Sequence, residues 1–291
     1  MTNNKFDSFA ITAANYEALT PLSFLPRTAL MFPDRRAVVY GERSYSWQEF
    51  YQRCTKLASA LNQIGIGKGD TVAVLAANTP EMIEAHFGIP MSGAVLNTVN
   101  TRLDDETIAY ILGHGEAKVF IVDYELAPQV KNALKIHGDS DLLVIDILDL
   151  QNATDPAAVG TTDYEAFLAT GTDTFQWNMP SNEWDAIGLS YTSGTSGRPK
   201  GVVYHHRGSY LMSMGTITDW DLPRHPNYLY TVPMFHCNGW GHAWTMAALA
   251  GTLFCTRAIA PEEIFSTILE HNITHFGGAP IVLSMMLNSP A

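Results

Sequence analysis

The sequence is poor in cysteine, in basic residues and in long apolar runs. Its three cysteines, Cys54, Cys237 and Cys255, are odd in number, far apart and without a CxxC pair. That argues against a disulfide framework and against a zinc cluster; free thiols fit a reducing cytoplasm. Lysine and arginine together number 17 against 29 acidic residues, a formal charge of -12. Nucleic acid is therefore not expected as a partner, because phosphate backbones attract clustered Lys and Arg. A small anion held locally by backbone amides stays open. The N-terminal stretch MTNNKFDSFAITAANYEALTPLSF has no charged region followed by an apolar run, so it does not read as a signal peptide. The most apolar late segment, WTMAALAGTLFC (244–255), is too short for a membrane span. It reads as a small-residue core helix running into a strand.

What is present alternates between strand and helix. RAVVYGERSYSWQEF (36–50) reads as a hairpin with Gly41-Glu42 at the turn and Ser46 capping the next helix. Phe50, Cys54, Leu57, Leu61 and Ile64 recur at helical spacing until Gly65. DTVAVLAAN (70–78) is a buried strand, and Thr79-Pro80 opens another helix. The pattern repeats through AKVFIVD, APQVKNALKIHG and DLLVIDI. Strands interleaved with helices predict an α/β fold of layered parallel sheets flanked by helices. Residues 151–182, rich in Thr, Asp, Gly and Pro, read as a surface connection with one short helix, DYEAFLA. Beyond it come AIGLS as a strand end, a helix through HHRGSYLMSMGTI, strand NYLYTVP (227–233), strand GTLFCT, helix PEEIFSTILEHN, strand ITHFGGAP and the start of a helix, IVLSMMLN.

The most informative string is YTSGTSGRPKG (191–201). Glycines let backbone N–H groups turn inward and approach a ligand, and consecutive inward amides form an anion-binding nest. Hydroxyls on Thr192, Ser193, Thr195 and Ser196 add donors, and Lys200 adds a mobile cation. The combination suits a polyphosphate; by composition alone such a loop is more often a flexible connection, and the full string is much more specific than its composition. It is not a Walker A loop, since Pro199 precedes Lys200 and Gly201 follows it. His205 and His206 are adjacent and so share no helix face. They read as helix-start residues, and His225 as a turn residue.

YTSGTSGRPKG resembles the signature loop of the adenylate-forming (AMP-binding) superfamily. RSYSWQEFYQRCTKLASAL, the block GDTVAVLAANTPEMIEAHFGIPMSGAVLNTVNTRLDDETIAYIL and VPMFHCNGW resemble its other regions in the right order, over nearly the whole chain. VPMFHCNGW is most similar to the short- and medium-chain acyl-CoA synthetase branch, including methylthiopropionate-CoA ligases. Ser196 stands where Thr is commoner.

The resemblance implies two steps. A carboxylate attacks the α-phosphorus of ATP to give acyl-AMP and pyrophosphate, and coenzyme A then displaces AMP. It implies that Thr192, Ser193, Gly194, Thr195, Ser196, Gly197 and Lys200 grip the phosphates, with Thr192 also near Mg²⁺. It casts His236 and Lys200 as catalytic, and His236, Asn238, Trp240, Gly277 and Gly278 as acid-binding. By position alone His236 reads as a structural histidine and Trp240 as core. The acid is expected to be short- or medium-chain or methylthio-substituted, and a homodimer is a possible state. Residues 1–291 correspond to a partial N-terminal adenylation domain. The family's Tyr-Gly-x-Thr-Glu motif, its ribose-binding Asp and its C-terminal lid domain do not occur in them. The chain alone is thus expected to be inactive. The alternatives are an adenylating enzyme with another acceptor, a catalytically incomplete nucleotide-binding fragment, or a P-loop kinase, which the missing Lys-Ser/Thr pair opposes.

Overall fold

The computed structural model describes residues 5–138, 141–149, 158–192 and 197–290. Along the chain the elements are α1 (Phe24–Met31), the hairpin β1 (Arg36–Tyr40) and β2 (Arg43–Ser46), α2 (Trp47–Gln63), β3 (Thr71–Leu75), α3 (Pro80–Met91), β4 (Val95–Thr98) and α4 (Asp105–His114). There follow β5 (Ala117–Asp123), α5 (Ala127–His137), β6 (Leu143–Ile147), β7 (Thr162–Asp163), α6 (Tyr164–Thr170), β8 (Ala186–Thr192), β9 (Lys200–His205) and α7 (His206–Asp219). The last are β10 (Asn227–Tyr230), α8 (His242–Leu249), β11 (Thr252–Cys255), α9 (Pro261–His271), β12 (His275–Phe276) and α10 (Pro280–Leu287).

The strands form two sheets, ordered β7-β6-β5-β3-β4-β8-β9 and β12-β10-β11-β1-β2. Pairing is parallel except for β1 with β2 and β8 with β9. Side-chain alternation assigns the layers. Val72 and Val74 of β3 face the large central core, and Ala73 and Leu75 face the cluster under α4 and α5. In the other sheet Val38 and Tyr40 point to the central core, and Val39 points to the cluster with Ile264 of α9 and Val282 of α10. The order is therefore helix, sheet, helix, sheet, helix, with α2, α3 and α8 in the middle. Every residue of α3 is buried. Gly88 lets α2 come close, since a Cβ there would meet the Leu57 side chain at 2.7 Å. Ser46 and Glu49 make the capping box that starts α2.

Three expectations need correction. The strand after the signature string is absent from the sequence reading: Lys200–His205 is β9, paired antiparallel with β8, and α7 starts only at His206. β9 is an exposed edge strand, stabilised by pairing rather than burial. Residues 151–182 also contain β7, which extends the sheet edge beside β6. NYLYTVP and ITHFGGAP are strand only over Asn227–Tyr230 and His275–Phe276.

A buried ionic cluster ties the sheets at the C-terminal ends of their strands. Arg257, just past β11, donates from Nε to Asp149 at 2.9 Å and Tyr40 at 2.8 Å, and from Nη1 to Asp123 at 2.9 Å and Glu125 at 3.0 Å. Arg257, Asp123 and Asp149 are 11%, 1% and 2% exposed. Burial raises the Asp123 pKa above the usual carboxylate value even with the guanidinium opposing it.

Candidate active site

The C-terminal edge of a parallel sheet is where ligands bind in such folds, and the sequence-predicted residues gather there. Thr192 ends β8 and Lys200 begins β9, directly across the hairpin from each other. Both are exposed, and among the described residues no carboxylate pairs with Lys200. Gly197 has φ +133°, a conformation that other residues rarely adopt. Ser193, Gly194, Thr195 and Ser196 lie outside the described residues.

The MFHCNGW segment approaches the same strand from the other sheet. Cys237, Asn238, Gly239, Trp240 and Gly241 form a run of left-handed residues, with φ between 44° and 66°. Each non-glycine in that region costs about 1–2 kcal/mol, so the run exists because other contacts hold it. Asn238 is its anchor. It is 2% exposed, and its Oδ1 accepts from Ser190 Oγ at 2.9 Å and lies 3.0 Å from Thr98 Oγ1. The Thr98 hydroxyl is also 2.9 Å from the Phe235 carbonyl. A Cβ at Gly188 would overlap Asn238 Nδ2, so glycine there leaves room for the anchor. Tyr230 Oη donates to the Gly239 carbonyl at 2.7 Å. Asn78, after β3, closes the frame: its Nδ2 donates to the carbonyls of Tyr230 and Val232 at 2.8 and 3.0 Å, and its Oδ1 accepts from the Met234 amide at 2.9 Å.

His236 precedes this turn and is exposed, with Nδ1 3.7 Å from Cys237 Sγ. Trp240 is 55% exposed at the rim. Gly277 follows β12; its carbonyl accepts from Thr231 Oγ1, and a Cβ on it would come within 3.2 Å of Trp220 and 3.3 Å of Tyr228 Oη. Gly278 lies against Val282. Thr192, Lys200 and the Asn238 anchor thus share one strand pair, whereas Gly277 and Gly278 belong to the second sheet. The reading from sequence missed Asn78, Thr98 and Ser190. Their signal was position alone: polar residues at or just past the ends of parallel strands.

Two buried histidines add a pH dependence, His242 directly after the left-handed run and His206 at the end of the β8–β9 pair far from Thr192 and Lys200. His242 opens α8 beside Trp220 and Tyr228, at ring separations of 5.0 and 4.7 Å, and burial pushes its pKa down to about 4. His206 Nδ1 bonds Thr20 Oγ1 at 2.8 Å, and burial again brings the pKa down to about 4. The unfolded chain takes up protons on these rings near pH 6.5, the folded chain only near pH 4. The native advantage is complete above pH 6.5 and is lost as pH falls toward 4, by up to about 3 kcal/mol per histidine. Urea midpoints measured from pH 7 to 4.5 should fall, and His242→Gln or His206→Asn should flatten the fall. Equal slopes in wild type and variants would contradict the account.

The sequence matches the family described as AMP-binding enzyme over residues 25–291. It is 45% identical to acetate–CoA ligase CCL3 of Humulus lupulus, over 100% of this chain and 53% of that protein. It is 44% identical to the peroxisomal acetate/butyrate–CoA ligase AAE7 of Arabidopsis thaliana, over 95% of this chain and 50% of that one. The chain spans about half the length of the curated relatives it matches. Its fold superposes on the N-terminal domain of FACL13 from Mycobacterium tuberculosis with a TM-score of 0.78 at 24% identity, covering 94% of this chain and 66% of that domain. No helix among the described residues is long and apolar enough to cross a membrane.

Proposed function

The chain belongs to the AMP-binding enzyme family, and from that premise we propose that it carries the carboxylate-activating part of an ATP-dependent acyl-CoA ligase. The observation behind this reading is that one strand, β8, meets both candidate halves of the site. Its end presents Thr192 opposite Lys200, and its Ser190 holds the turn that follows His236. The hairpin end is the place for the β- and γ-phosphates, and the turn brings His236 toward the acid.

In this reading Lys200 and the hydroxyl of Thr192 stabilise charge that builds on the departing pyrophosphate. Mg²⁺ fits as an ion carried on the phosphates, with the Thr192 hydroxyl as a hard oxygen donor; when bound it neutralises phosphate charge. His236 orients the carboxylate, with Asn238 fixing the backbone from which it projects. Gly277 and Gly278 let backbone approach the acyl chain, and Trp240 stands at the rim. The acids named for CCL3 and AAE7, acetate and butyrate, are the substrates to expect, with coenzyme A as the thiol. The cytoplasm fits the free thiols; the peroxisome of AAE7 is the alternative.

The test is nucleotide turnover by the full-length protein with acetate or butyrate, Mg²⁺ and coenzyme A. AMP and pyrophosphate support the reading. ADP and phosphate, or no ATP consumption, overturn it. Residues 1–291 alone are expected to bind ATP and to make no acyl-CoA.

A further inference from the structure

We infer that Tyr110 and His114 of α4 are positioning residues for the phosphate hairpin, acting on it from the layer opposite the reacting groups. Each side of the hairpin sends one side chain to the same helix, Tyr191 from β8 and Arg198 from the segment that leads into β9. Tyr191, the residue before Thr192, places its hydroxyl 2.8 Å from His114 Nδ1. Arg198, two residues before Lys200, lays its guanidinium over the Tyr110 ring with Cζ 5.1 Å from the centroid.

Tyr110 and His114 are four residues apart on one helix face, and their rings lie 5.2 Å from each other. The result is a continuous row of Arg198, Tyr110, His114 and Tyr191, with the last two rings 5.7 Å apart. Gly115 makes the row possible. A Cβ there would come 3.2 Å from Tyr191 Oη and 3.0 Å from Asn97 Nδ2, so a larger residue would push Tyr191 off the helix end. Burial raises the Tyr191 pKa to about 12, which keeps the hydroxyl protonated and able to donate to His114.

The row lies on one side of the sheet and the Asn238 anchor on the other. Tyr191 packs with the cluster under α4, whereas Ser190 points to Asn238. Tyr110 and His114 therefore act on the nucleotide only through the position of Thr192 and Lys200. Arg198 is engaged at the Tyr110 ring as a strut, which leaves Lys200 as the hairpin's cation for the proposed phosphate site. A cation–π contact at an exposed site is worth enough to change a binding constant about two- to fivefold.

The kinetic half of the test rests on the ligase reading; the other half does not. In the full-length protein, Tyr110→Ala should raise the KM for ATP two- to fivefold and leave kcat and the KM for the acid near wild type. Tyr110→Leu keeps apolar bulk under the helix but has no π face, and should match Tyr110→Ala. Tyr110→Phe keeps the face and should match wild type. In the unliganded protein, hydrogen–deuterium exchange of the peptide over residues 186–205 should accelerate in the Ala and Leu variants and not in Phe. Equal KM values for ATP in Phe and Leu, a parallel rise in the KM for the acid, or equal exchange in all variants would overturn the inference. If no ATP is turned over by wild type, the ligase reading fails, and the exchange comparison alone decides the role of Tyr110.

Discussion

Arg257→Met is expected to destabilise the protein by about 3–5 kcal/mol, the usual cost of removing one member of a buried ion pair. The guanidinium bonds both Asp123 and Asp149 in their cluster, and those carboxylates are 1% and 2% exposed. Without it, burial drives the Asp123 carboxyl pKa further up. Its unfolded value stays near 3.9. The variant's deficit should therefore be largest at pH 7 and shrink as pH falls toward 4, because the folded state then binds protons that the unfolded state does not. Asp123→Asn and Asp149→Asn placed in the Arg257→Met background should recover part of the loss. Urea unfolding of the four proteins at two pH values tests this. A cost below about 1 kcal/mol, typical of a surface pair, would mean that the cluster does not couple the sheets.

Lys200→Ala and Thr192→Ala are expected to slow pyrophosphate release by about 30- to 1,000-fold, which corresponds to about 2–4 kcal/mol of lost transition-state stabilisation. Both residues are exposed and on an edge hairpin, so folding should be unaffected and the loss should lie in kcat. Lys200→Arg keeps the charge and should retain part of the rate. Rapid-quench measurement of pyrophosphate in the full-length protein is the check. Wild-type release in both alanine variants would remove the phosphate grip from these residues.

Much of the layered fold was legible because its signals are local. The Ser46 cap, the Glu49 partner and the apolar spacing of Phe50, Cys54, Leu57 and Leu61 define α2, and all four apolar residues are buried. The buried strands β3 and β5 announce themselves as short apolar runs. β9 was not legible. Its sequence, KGVVYH, begins inside the glycine-rich string, and its exposed face shows no alternation of apolar and polar residues. It is a strand because β8 lies beside it. Thr192 and Lys200, the ends of the candidate phosphate loop, were picked out from residue chemistry alone. The holders of the His236 segment could not, since Asn238 meets Thr98 across 140 residues and Ser190 across 48. Nor does Cys-Asn-Gly-Trp-Gly advertise a left-handed run as a whole; its asparagine and two glycines point that way, and its cysteine and tryptophan do not.

That run also sets an order of assembly. No local preference favours a left-handed turn at cysteine or tryptophan, so the run cannot nucleate folding. Its frame includes the Asn78–Met234 bond, which joins residues 156 positions apart, and such closures come after the contacts that shorten the path. Both sheets must stand before the turn can form. The reverse follows for opening: the segment from Met234 to Gly241 can come undone while the layers beneath it stay folded. The protein is thus built so that its proposed chemical centre is the last part to be completed and the first to be surrendered.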